Sequence, residues 1–122
     1  MSQLLIVDDD SVILYLMKDA LSDAGFKIES ADSGKAALQK LKEHKFQLLI
    51  TDILMPDITG LEVIDFAISA NPDISILAIS GGGADQNGGD LLDTALSAGA
   101  DAILEKPFNP EELVRTVTAL LR

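Results

Sequence analysis

Short apolar runs and longer amphipathic stretches alternate along the chain. The runs QLLIVD (from Gln3), FKIESA (from Phe26), FQLLITD (from Phe46), ISILAIS (from Ile74) and DAILEK (from Asp101) are rich in Ile, Leu and Val and have the length of strands. Between them, apolar residues return every three or four positions. Ile13, Met17, Ala20, Leu21 and Ala24 predict one face of a first helix that Gly25 terminates. A second helix fits Ser33 to Glu43, a third Gly60 to Ala70 before Asn71-Pro72, a fourth about Gly89 to Ala98 before Gly99, and a fifth begins after Pro110. The pattern is (βα)₅. Strands 1, 3 and 4 are apolar on both faces, which predicts a parallel sheet covered by helices on both sides, and 122 residues suit one domain with a real core.

In an open doubly wound sheet, ligands bind beyond the carboxyl ends of the strands. Strand 1 ends in Asp8 and Asp9, strand 3 in Asp52, strand 4 in Ser80 and strand 5 in Lys106. Taken singly, Asp52 fits a residue opening the turn DILMPD, and Lys106 a surface lysine before Pro107. Five such groups at successive strand ends need a common reason, because like charges 4 Å apart repel by roughly 4 kcal/mol at an effective dielectric of 20. Asp10 has its own explanation as the cap of the first helix. The remaining acids suit a divalent cation such as Mg²⁺, a hard ion that takes oxygen ligands and shares its site with phosphate, while a lysine and a hydroxyl can hold other phosphoryl oxygens.

Composition narrows the field. Twenty acidic against nine basic residues give a formal charge of −11, so direct contact with nucleic acid is not expected and a partner with a basic surface is. There is no cysteine, which removes disulfides and thiolate metal sites, and the single His44 lies in the polar stretch KEHKF, where it reads as a surface turn residue. No apolar run reaches the roughly 20 residues of a membrane span, and MSQLLIVDDD lacks the features of a signal peptide, so a cytoplasmic protein is expected. GGGADQNGG is the only low-complexity segment; no Gly-Lys-Ser/Thr follows it, so it is not a nucleotide-binding P-loop.

LLIVDDD, LLITDILMPDITGLEVI, AIS followed by Gly81, and AGADAILEKPF occur in one order over essentially the whole chain. Together they resemble the receiver domain of two-component response regulators. The resemblance implies a flavodoxin-like fold with strand order 2-1-3-4-5 and a single receiver domain over 1–122, with no output domain in this chain. It implies that Asp52 is the phosphoacceptor, that Asp8, Asp9, Asp52 and the Leu54 carbonyl bind Mg²⁺, and that Ser80 and Lys106 hold the phosphoryl group. The Lys106-Pro107 bond would be cis. The expected phosphodonor is a sensor histidine kinase or a histidine phosphotransfer protein, and the expected output is a changed surface around residues 81–92 and the fourth and fifth helices, read by a target protein or a missing output domain. Such a protein is not an enzyme in the ordinary sense: it catalyses only its own phosphorylation and dephosphorylation.

Three features depart from the family pattern, one being that the sequence stops at Arg122 with no output domain, as expected of either a single-domain regulator or a receiver cut from a longer protein. Ile103 stands three residues before Lys106, where the family has an aromatic ring, and the Ser80 to Lys106 segment is lengthened by the glycine-rich stretch. Two other readings compete. LLIVDDDSV also fits the start of haloacid-dehalogenase-like phosphatases, with Asp8 as nucleophile and Asp10 as acid, although that family has no comparable use for Asp52. The second is a receiver-fold binding module that works without phosphorylation.

Overall fold

The computed structural model describes residues 3–80 and 96–121. Five strands, β1 (Gln3–Val7), β2 (Lys27–Ala31), β3 (Leu48–Asp52), β4 (Ser75–Ser80) and β5 (Ala102–Glu105), form one parallel sheet in the order β2-β1-β3-β4-β5. This is the expected doubly wound sheet. Helices α1 (Ser11–Asp23), α2 (Gly34–Glu43), α3 (Gly60–Ala70) and a C-terminal helix (Pro110–Leu120) cover it. The glycine-rich stretch and most of the expected fourth helix lie outside the described residues; residues 96–98 are helical.

Helix boundaries follow from their caps. The Asp10 carboxylate accepts from the amides of Val12 and Ile13, Ser33 caps α2, Thr59 caps α3, and Asn109 caps the C-terminal helix just before Pro110. Ser33 is thus the cap of the second helix and not its first turn. Gly25, at φ 96°, ends α1 in a left-handed conformation that a side chain would oppose. Ala24, expected on the buried face of α1, is exposed, because that face is carried by Met17 and Leu21.

Strand alternation divides the core. Leu4, Ile6, Leu48, Ile50, Leu77 and Ile79 face α1 and the C-terminal helix, while Leu5, Val7, Leu49, Ile76 and Ala78 face α2 and α3. Both faces of the three inner strands are dry, as their unbroken apolar sequences predict. Register then sets the site. Val7 pairs with Thr51, so Asp8 and Asp52 emerge side by side, and Ser80 pairs with Glu105, which brings Lys106 to the same edge.

Candidate functional site

The carboxyl edge of the sheet gathers the expected side chains. Asp8, Asp52 and Ser80 are buried, whereas Asp9 is exposed. One carboxylate oxygen from each of Asp8, Asp9 and Asp52 falls within 4.8 Å of the other two. Lys106 Nζ sits between two of them, 2.9 Å from Asp8 Oδ2 and 3.2 Å from Asp52 Oδ2. Its backbone N–H donates to the Ser80 carbonyl at 2.9 Å, so the ends of β4 and β5 are tied together. The Lys106-Pro107 bond is cis.

Local hydrogen bonds orient the acids. Asp8 Oδ1 accepts from the Asp10 amide at 2.8 Å, and the Asp8 amide donates to Ala31 at the end of β2. Asp52 Oδ1 takes a long bond, 3.4 Å, from the Leu54 amide. Burial raises the Asp52 carboxyl above its ordinary value; Lys106 opposes this and Asp8 reinforces it. Burial alone would lower the Lys106 ammonium, but the Asp8 and Asp52 carboxylates outweigh it and hold the group firmly protonated.

A single ammonium cannot balance three acids. Asp8 Oδ2 is fully buried and meets Lys106 Nζ at 2.9 Å in a close ion pair. The net negative charge left in this partly buried cluster is costly unless a cation joins it. The donor set is all oxygen, the kind that suits a hard cation such as Mg²⁺.

Leu54 belongs to the loop from Ile53 to Thr59 that leaves Asp52 and leads into α3. Motif reading missed Asp57 in this loop, whose carboxylate accepts from the amides of Gly34 at 3.2 Å and Lys35 at 2.9 Å. These partners on α2 are remote in sequence, so no local signal marks the contact. Ile103 is half-buried against the core facing α2 and α3. Beside Lys106, an apolar groove of about 160 Å³ is lined by Ile13, Leu16, Pro107 and Phe108, and the neighbouring Val12 and Tyr15 of α1 are exposed.

A parallel sheet in this order, with three acids and a lysine at its carboxyl edge, defines a class that comparison with known proteins confirms. The chain belongs to the response regulator receiver domain family, whose model matches residues 4–118. It is 37% identical to a transcriptional regulatory protein CpxR homolog of Haemophilus influenzae, covering all of this chain and 51% of that protein. It is 32% identical to the response regulator receiver protein CpdR of Brucella abortus, covering 99% of this chain and 98% of the relative. The chain therefore spans about half of the first and nearly the whole of the second. Among solved structures, a CheY-like receiver domain protein from Methanospirillum hungatei superposes with a TM-score of 0.90 at 31% identity, over 99% of this chain and 94% of that one. The chemotaxis response regulator CheY4 of Vibrio cholerae gives 0.88 at 32% identity, over 99% of both chains.

Proposed function

We propose that this receiver domain accepts a phosphoryl group on Asp52 from a phosphohistidine of a sensor kinase or phosphotransfer protein, or from a small phosphodonor. One observation carries the reading: the Asp52 carboxylate is buried beside Asp8, Asp9 and Lys106, an arrangement suited to receiving a highly charged oxyanion together with a cation. An Asp52 carboxylate oxygen attacks phosphorus, the P–N bond breaks, and its electron pair returns to the imidazole. Asp8, Asp9, Asp52 and the Leu54 carbonyl would hold Mg²⁺, which supplies charge neutralisation for the transfer. Lys106 turns from the Asp52 carboxylate to a phosphoryl oxygen, and Ser80 closes on another. The aspartyl phosphate brings about 1.5 to 2 negative charges, enough to bias a two-state surface.

Because Ser80 and Lys106 are linked through the backbone, movement at either is passed to both β4 and β5 and to the elements that follow them. Those include residues 81–92, outside the described residues, and the C-terminal helix. A target protein, or an output domain, reads that surface. The exposed apolar strip of α1 with its groove beside Lys106 offers the phosphodonor protein a place to dock. Among the described residues no helix is long and apolar enough to cross a membrane.

The phosphatase reading meets an obstacle in Asp10. Its carboxylate is engaged with the Val12 and Ile13 amides as a helix cap and is poorly placed to act as a general acid. The test is incubation with acetyl phosphate and Mg²⁺ followed by peptide mass spectrometry. One labile phosphate is expected on Asp52, and Asp52→Asn should abolish it. Label on Asp8 would return the phosphatase reading, and no label on a folded protein would favour the phosphorylation-independent binding module.

A further inference from the structure

The loop that follows Asp52 is fastened at three places, the first being the Ile53 amide, which donates to the Ile79 carbonyl of β4 at 3.0 Å. At its base the Gly60 amide donates to the Ile53 carbonyl at 2.8 Å. Farther out, the Asp57 carboxylate receives the first two amides of α2, from Gly34 and Lys35, while Ser33 Oγ receives the Ala36 amide at 3.1 Å. Contact between the loop and α2 is close as well as polar. A Cβ on Gly34 would stand 2.8 Å from Ile58 Cβ and 2.9 Å from Ile58 O, so this approach depends on glycine.

The other end of the same connection is also held. Ala31, the last residue of β2, accepts the Asp8 amide through its carbonyl at 3.2 Å. The short segment from Ala31 to Lys35 thus bridges the two chain turns that flank the acidic cluster, one carrying Asp8 and Asp9, the other Leu54. Ser33 already caps α2 in the ordinary way. A second, distant carboxylate at the same helix end does something that Ser33 cannot, because it ties the helix to the loop.

We propose that Asp57 is a positioning residue for the cation side of the site: by fastening the Ile53–Thr59 loop to the first turn of α2, it holds the Leu54 carbonyl in register with Asp8, Asp9 and Asp52. This rests on the Mg²⁺ site proposed above. Leu54 is exposed and, among the described residues, its own amide makes only the long bond to Asp52, so the limb that bears it takes its position from Ile53 on one side and from the Asp57 fastening on the other.

Mg²⁺ titrations followed by amide chemical shifts, on the wild type, Asp57→Ala, Asp57→Asn and Ser33→Ala, test the proposal. Asp57→Ala should weaken Mg²⁺ binding about tenfold, the lower end of what loss of a residue that orients a metal ligand costs. Asp57→Asn keeps an acceptor and should lose less. Ser33→Ala removes a cap from the same helix end and should lower the melting temperature comparably while leaving Mg²⁺ affinity unchanged. Hydrogen exchange without metal should show residues 53–59 losing protection in Asp57→Ala and not in Ser33→Ala. Wild-type affinity in both Asp57 variants would overturn the positioning role and leave Asp57 a helix cap. A wild-type protein that takes up no Mg²⁺ would instead overturn the functional reading, and the positioning role with it.

Discussion

Asp52 and Asp57 sit five residues apart and respond to opposite influences. Burial, the largest, raises the Asp52 carboxyl, whereas bonds from the Lys35 and Ile58 amides lower that of Asp57. The folded protein therefore binds a proton at Asp52 more tightly than the unfolded chain does. Stability is lost as pH rises through the interval between the unfolded and the raised folded value, and regained as pH falls through it. Asp57 has the reverse sign: its contribution is present above the unfolded value and fades as pH falls through the lowered folded one. Asp52→Asn should accordingly raise the melting temperature by a few degrees at neutral pH without Mg²⁺, with the gain shrinking toward acid. Thermal melts across pH 3 to 7 check this, and a lower melting temperature at neutral pH would mean that the pair with Lys106 outweighs the desolvation of Asp52. At this scale the site was legible wherever chemistry sits at a strand end. Asp8, Asp9, Asp52, Ser80 and Lys106 all announce themselves as polar groups closing apolar runs. Asp57 does not, because its role depends on a helix end that the sequence places 22 and 23 residues away.

Among the described elements, the β3 to α3 connection is tightly constrained at Gly60. A Cβ at Gly60 would lie 2.0 Å from the Asp52 carbonyl oxygen and 2.8 Å from Ile53 Cα, both backbone atoms that cannot step aside cheaply. Gly60→Ala should therefore destabilise the domain by about 3 kcal/mol, the upper part of the range for overpacking, and displace Asp52 as it does so. Urea denaturation measures the first effect and the Mg²⁺ titration the second; a variant as stable as the wild type would show that the turn can relax. Element type and order were legible because strand and helix periods differ and because Asp10 and Pro110 mark helix starts. The approach of α2 to the β3 to α3 loop was not, since Gly34 reads in sequence only as a weak helix former.

Across the whole molecule the acidic edge coincides with a formal charge of −11, so the apo domain carries both local and general repulsion. A cation that binds only the folded form should relieve it. By mass action, Mg²⁺ at 100 times its dissociation constant adds about 2.7 kcal/mol, and Asp9→Ala should lose most of that gain while melting near the wild-type temperature in its absence. Calorimetry in EDTA and in Mg²⁺ makes the comparison. Equal Mg²⁺ responses would exclude Asp9 from the site.

The ion pairs of Lys106 join the last strand to the first and to the third. During synthesis, β1 and β3 leave the ribosome well before β5, so a nascent chain presents its acids without the ammonium that completes the arrangement. Unfinished or truncated chains should consequently be unable to draw phosphoryl groups from the donor. If Asp52 is the phosphoacceptor, competence would then arrive only with the segment that carries Lys106, and phosphoryl groups would be reserved for molecules that have finished folding.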